Sequence, residues 1–130
     1  MTDALLFLHL LSAATVFAAV AAFTALTLGA RMERGTVMLY RVLWNAGLIG
    51  ALIFGFALAL DVEGYSLLDA WVLIAIALWI AVGPIGERTP RAYLEAGGEA
   101  AIPSGAIRAH WLSVAIVVLI LADMIWKPWA

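Results

Sequence analysis

The chain has 130 residues, of which 66% are hydrophobic and only 12% are charged, and its formal net charge is −2. A water-soluble domain of this size needs far more polar surface, so the composition is that of a polytopic membrane protein. Without cysteine, disulfides, thiolate metal sites and cysteine nucleophiles are excluded, and without a basic cluster there is no basis for binding nucleic acid.

Four apolar runs are long enough to cross a bilayer, which takes roughly 20 helical residues. The first covers about residues 4–30, and because no Lys or Arg precedes it, we expect it to be retained as a span and not cleaved. The others cover about 37–60, 67–85 and 107–126. None alternates like a barrel strand, which predicts an all-α, integral membrane, up-and-down four-helix bundle forming a single domain.

The sequence "GPIGERTP" is expected to end the third span, because its prolines and glycines stop helices. Residues 87–106 then form the only sizeable segment outside the membrane. Their Gly and Pro residues favour a flexible connector, with a docking site for a cytoplasmic partner as the alternative. Ser104 is a candidate cap for the start of the fourth span.

The basic residues indicate the orientation. An even number of spans puts six arginines on one side: Arg31, Arg34, Arg41, Arg88, Arg91 and Arg108. Lys127 alone lies on the other side. The positive-inside rule therefore predicts a multi-pass protein of the inner (plasma) membrane, with cytoplasmic loops and both termini outside. Arg41 lies inside its span and is expected to extend its side chain to the cytoplasmic surface.

Small residues recur at every fourth position of the second span: Gly47, Ala51, Gly55 and Ala59. The first span has a similar stripe: Ala14, Ala18 and Ala22. Such stripes let a neighbouring backbone approach closely, so they predict helix packing within the chain. A homo-oligomer through the Gly47/Ala51/Gly55 face is the alternative, and a second membrane protein is a further candidate partner beside the lipid bilayer.

Polar side chains within the spans are energetically expensive and are therefore candidates for function. His9 shares a helix face with Ser12 and Ala13, which indicates that it faces the bundle. His110 is expected at the cytoplasmic interface, so a haem held between the two histidines of one chain is excluded by their difference in depth. Asn45 is expected to hydrogen bond to another helix.

Asp123 lies at roughly the depth of His9, with Lys127 as a competing partner four residues further on. Asp69, at the outer start of the third span, adds a second carboxylate. His9, Asp69 and Asp123 are therefore a candidate metal or proton site, whereas a hydrogen bond between His9 and Asp123 is the simpler interpretation. The sequence has no nucleophile–base pair or phosphate-binding glycine motif, so it predicts no catalytic site.

The stretches "LLFLHLLSAATVFAA" and "ADMIWKPW" resemble an uncharacterised family of small bacterial integral membrane proteins with four helices. That family is itself similar to the membrane part of copper-resistance D proteins. The resemblance rests on His9 with Ser12 at one end, and on Met124, Lys127 and Pro128 at the other. The opening is also similar to that of a membrane-bound protoporphyrinogen oxidase, whose first-helix histidine is tied to haem.

Two functions follow as expectations. The first is a structural or accessory membrane protein in which His9 and Asp123 pair helices. The second is a binding protein in which His9 holds haem or a copper ion near the outer face.

Overall fold

The computed structural model describes residues 2–61, 66–97 and 102–126. Lys127 and Pro128, which entered the sequence-based expectations, lie outside the described residues. The described part forms five α-helices: α1 (Thr2–Thr27), α2 (Arg34–Asp61), α3 (Ala70–Gly86), α4 (Arg88–Glu95) and α5 (Ser104–Trp126).

Four stretches of the described chain are long and apolar enough to cross a membrane: Thr2–Thr27, Arg34–Asp61, Ala70–Glu95 and Ser104–Trp126. Their outward faces expose large apolar side chains, among them Leu10, Ile53, Ile80 and Leu119. Helices that are apolar on both their inward and outward faces suit a lipid surrounding. The prediction of an all-α protein with four membrane-spanning helices is confirmed.

The first helix ends three residues earlier than the hydropathy predicts. Gly29 has a positive φ of 100°. The amide of Ala30 donates to the Ala25 carbonyl at 2.9 Å, and the amide of Gly29 donates to that of Leu26 at 3.2 Å. These two bonds and the left-handed glycine form a Schellman cap, which satisfies carbonyl groups that the end of a helix leaves unpaired.

The expectation of a flexible connector over residues 87–106 is wrong for its first half, where the chain forms α4. Helix α3 also continues through Pro84 to Gly86. Pro90 is the third residue of α4, in the first turn, where a backbone N–H has no partner within the helix and its absence costs little. Helix α4 is amphipathic and buries Thr89, Pro90 and Tyr93.

The helices form two closely packed pairs, α1 with α2 and α3 with α5, and the pairs touch each other less extensively. The hydroxyl of Tyr93 in α4 accepts from the Met32 amide at 2.8 Å and donates to the Met32 carbonyl at 3.0 Å. These bonds join the connection between α1 and α2 to α4 at one end of the bundle. We call it the arginine end; the opposite end, where α1 begins and α5 ends, is the terminal end.

The buried core is concentrated toward the arginine end. Its largest fully buried side chains include Phe23, Val37, Trp44 and Val82. The rings of Phe23 and Trp44 lie 6.1 Å apart in a tilted arrangement. The two helix pairs are therefore held together at the arginine end, which leaves the terminal end as the place where they separate around a cavity.

Candidate functional site

His9 is fixed against α2 through its ring nitrogen Nδ1, which lies 3.0 Å from the carbonyl oxygen of Ala51. Because a carbonyl oxygen only accepts, Nδ1 must carry the proton. In the neutral ring, Nε2 is then an unprotonated acceptor, and it has no hydrogen-bond partner among residues 2–61, 66–97 and 102–126. The prediction that His9 faces the bundle is confirmed.

The glycine stripe of α2 is the surface on which α1 packs. A Cβ atom added at Gly55 would lie 3.0 Å from Cε1 of His9. At Gly47 it would lie 2.9 Å from the backbone oxygen of Ser12 and 2.8 Å from Cγ2 of Val16. Two residues without side chains thus let the helices approach closely.

The Gly47/Ala51/Gly55 face is therefore in contact with α1 within the chain, which is the packing that the small-residue stripe predicts. The matching surface of α1 differs from the predicted one. It contains His9, Ser12 and Val16, whereas Ala14 and Ala18 are exposed.

The predicted pairing of His9 with Asp123 is also wrong. Both carboxylate oxygens of Asp123 are buried and have no hydrogen-bond partner in the described chain, while His9 is bonded to Ala51. Asp69 is used locally, where its Oδ2 accepts from the Ser66 amide at 3.0 Å. The described residues contain no group of three or more His, Asp or Glu side chains that could hold a metal ion. His9, Asp69 and Asp123 are therefore not gathered into one such group in the described structure.

A cavity of about 540 Å³ separates the two helix pairs in the half of the bundle near the terminal end. All four spanning helices line it, with His9 on α1, Gly55 on α2, Trp79 on α3 and Met124 on α5. Its volume lies within the range of about 300–1,000 Å³ that is typical of small-molecule sites. The wall is almost entirely apolar, which favours an occupant that partitions into lipid.

Two polar groups in this wall are already bonded to the protein. The Thr2 hydroxyl donates to the carboxylate of Asp61, and the Trp79 indole Nε1 donates to the Leu48 carbonyl at 2.6 Å. By contrast, Nε2 of His9 is unprotonated and has no such bond in the described chain. The residues that line the cavity thus include an imidazole with one unpaired acceptor nitrogen.

The second histidine lies in a different environment. His110 is 1% exposed, and its Nε2 lies 2.8 Å from the Thr24 hydroxyl. That hydroxyl donates its only proton to the Val20 carbonyl, so His110 Nε2 is the donor to Thr24. His110 is therefore a buried contact between α5 and α1.

Helices α2 and α3 exchange two indole hydrogen bonds. Trp44 Nε1 donates to the Gly83 carbonyl at 3.2 Å, and Trp79 Nε1 donates to the Leu48 carbonyl. Neither tryptophan was among the predicted helix-pairing residues. Their position inside the spans, away from the interfaces where tryptophan is enriched, was the signal that could have found them.

Asn45 bonds to Glu87 in the turn between α3 and α4, whereas the prediction was a bond to another helix. Its Nδ2 donates to Oε1 of Glu87 at 2.5 Å and to the Arg41 carbonyl at 2.9 Å. Glu87 also lies 3.5 Å from Arg41 and 3.7 Å from Arg91. Glu87 lies in the turn between α3 and α4, and its central position in this cluster could not be predicted from the sequence.

Comparison with protein-family models, with curated proteins and with solved structures finds no match for this chain.

Proposed function

We propose that the protein is a membrane accessory protein that binds a small lipophilic molecule in the cavity between its two helix pairs. The observation that carries the proposal is that His9 lines a mostly apolar cavity while its Nε2 has no hydrogen-bond partner in the described chain. An apolar pocket with one convergent polar group is the usual arrangement of a small-molecule site.

The chemistry of His9 defines the ligand class. Because Nδ1 is protonated and bonded to Ala51, Nε2 accepts a hydrogen bond. A ligand with an apolar body and one hydroxyl or N–H donor would satisfy this nitrogen and bury its remaining surface against leucine, phenylalanine and tryptophan. A ligand without a donor would leave Nε2 unpaired.

Entry from the bilayer is consistent with the cavity rim. Leu6 and Phe17 of α1 and Ile125 of α5 line the cavity and are also substantially exposed on the outside of the bundle. A lipophilic molecule dissolved in the bilayer would therefore reach the cavity sideways, through the apolar surface between α1 and α5.

Matched ligands test the proposal. We expect the purified protein to bind para-butylphenol about fivefold more tightly than para-butylanisole, since one hydrogen bond contributes about 1 kcal/mol. Calorimetric titration against a micelle blank measures both affinities. The variant His9→Leu should bind the two ligands equally, whereas Phe17→Leu, which alters the wall but keeps the nitrogen, should retain the preference. Absence of saturable binding, or an unchanged preference in His9→Leu, would overturn the proposal.

Haem is the second candidate, and the anchoring of His9 favours it. A metal-bound histidine characteristically donates its other ring N–H to a carbonyl or carboxylate, which is the arrangement of His9 and Ala51. Met124 lines the same cavity, and histidine with methionine is a known axial pair for haem iron. A Soret band shift on adding haemin to the purified protein, lost in His9→Ala, would support haem binding. An unshifted band would exclude it.

We also propose that the protein lies in the inner (plasma) membrane, with the arginine end on the cytoplasmic side and both termini outside. Supporting this, Tyr93 joins the two connections that carry most of the arginines, and basic residues favour the cytoplasmic side. Reporter fusions after residue 130 and within residues 96–103 should report outside and cytoplasm, respectively. The reverse pattern would overturn this orientation.

A further inference from the structure

A second depression lies on the outside of the bundle, between α2 and α3. It has a volume of about 320 Å³, and its sides include Ile49, Ile80 and Pro84. Ile49 and Ile80 are 53% and 62% exposed, so the depression faces outward. Toward the arginine end it finishes at Asn45 and Glu87. We call this depression the α2–α3 groove.

Two arginines lie beside Glu87 at the polar end of the groove, outside the residues that line it. The Glu87 carboxylate lies between two guanidinium groups, 3.5 Å from Arg41 and 3.7 Å from Arg91. One carboxylate therefore compensates one of two cations. The Arg91 side chain is 60% exposed, which leaves it available to an external anion.

Asn45 adds a second polar side chain to this end of the groove. Its amide is exposed on the outward face of a spanning helix, beside the half-buried Glu87. Polar groups on such a face are costly against acyl chains and are found where headgroups or water reach them. The groove thus joins an apolar channel to a polar, cationic end, in the order in which a phospholipid joins its chains to its headgroup.

We propose that the α2–α3 groove binds a phospholipid with an anionic headgroup, its acyl chain against Ile49 and Ile80 and its phosphate at Arg41 and Arg91. Guanidinium groups bind phosphate oxygens through paired, charge-assisted hydrogen bonds. Basic pockets between spanning helices are suited to anionic headgroups. Charge complementarity selects an anionic lipid over a zwitterionic one, because a net cation remains after Glu87 is counted.

Glu87 gives the proposal a distinctive consequence. Its carboxylate holds both arginines in place, and it also competes with the lipid phosphate for them. The substitution Glu87→Gln keeps an acceptor for Asn45 and removes the competing charge. We therefore expect this variant to bind the anionic lipid more tightly, an effect that a merely structural role of Glu87 would not produce.

The experiment uses the full chain in detergent, titrated with phosphatidylglycerol or with phosphatidylcholine, with bound lipid counted by native mass spectrometry. Wild type should prefer phosphatidylglycerol. The double variant Arg41→Gln/Arg91→Gln should lose about 30-fold in phosphatidylglycerol affinity, since each basic residue near an anionic lipid contributes about 1 kcal/mol. Glu87→Gln should gain about fivefold by the same reasoning. Arg34→Gln, which removes an arginine from the same end outside the groove, is the matched control.

Equal binding of the two lipids by wild type would overturn the proposal, as would an equal loss in Arg34→Gln. If the double variant fails to fold, Glu87→Gln decides, because unchanged or weaker phosphatidylglycerol binding in that variant contradicts the proposal. Since the linings of the groove and the cavity share only Leu48 and Trp79, the outcome does not depend on the ligand of His9.

Discussion

The Trp44 indole lies against Gly86, in the space that a side chain at position 86 would occupy. Trp44 is fully buried, and its Nε1 donates to the carbonyl of Gly83, so the ring is fixed from two directions. This contact links α2 to the last turn of α3. The absence of a side chain at position 86 is therefore a requirement of the packing at the arginine end.

We expect Gly86→Ala to destabilise the protein by about 1–3 kcal/mol, the usual cost of adding a methyl group to a packed core. Gly83→Ala is the control, because its added Cβ would be 3.9 Å from the nearest atom, Cδ1 of Leu48, an ordinary contact. Unfolding in mixed micelles of increasing dodecyl sulfate content measures the free energy of unfolding of both variants. Equal stability of the two variants would show that Trp44 moves aside without cost.

The Tyr93 hydroxyl links α4 to the segment between α1 and α2. The substitution Tyr93→Phe tests how much these hydrogen bonds contribute to stability. The substitution removes one hydroxyl and leaves both the amide and the carbonyl of Met32 without it. We expect a loss of about 1–3 kcal/mol, as for buried polar groups left unpaired. Tyr40→Phe is the control, since the Tyr40 hydroxyl makes no hydrogen bond within the described residues. A loss no larger than in Tyr40→Phe would mean that water replaces the hydroxyl.

The carboxylate of Asp123 is buried, and we expect its removal to raise the free energy of unfolding, whereas the substitutions above lower it. Because neither oxygen has a partner in the described chain, Asp123→Ala and Asp123→Val should raise stability by about 1–3 kcal/mol. Asp69→Ala should instead lower it, because the Asp69 carboxylate accepts from the Ser66 amide. Detergent unfolding of the three variants distinguishes the two carboxylates. A loss of stability in both Asp123 variants would reveal a partner for this side chain.

The spans could be predicted because each must satisfy one physical requirement, an apolar length that matches the bilayer. The side of each helix that contacts a neighbouring helix could not be predicted, because a helix that is apolar all round has no periodic pattern that distinguishes one side from another. For this reason His9 was assigned to Asp123 from depth alone, whereas its actual partner is a backbone carbonyl of α2. Every residue has a backbone carbonyl, so the sequence does not indicate which one accepts a hydrogen bond from a side chain.

Helix α4 was missed for a local reason. Pro84 and Pro90 both favoured a break, but a proline in the first turn of a helix needs no N–H partner, and Pro90 has that position. The cavity was beyond sequence reasoning altogether, since it arises from how far the two helix pairs separate. The glycine stripe, in contrast, was readable, because close helix approach in lipid requires small residues.

The contact between His9 and Gly55 allows the packing of α1 on α2 to be tested by a double-mutant cycle. A methyl group added by Gly55→Ala would lie 3.0 Å from Cε1 and 3.2 Å from Nδ1 of the imidazole, closer than ordinary contact. In the wild-type background we expect a loss of about 1–3 kcal/mol, as for other overpacked sites. In the His9→Ala background the methyl group meets no ring, and alanine is intrinsically favoured over glycine in a helix by about 1 kcal/mol, so the loss should vanish or reverse. The cycle should therefore give a coupling energy of about 1–3 kcal/mol.

A second cycle, of His9→Ala with Asp123→Ala, should be additive within about 0.5 kcal/mol, because the two side chains share no hydrogen bond. Additivity in the first cycle, or coupling in the second, would place His9 against a different neighbour and remove its bare nitrogen from the cavity.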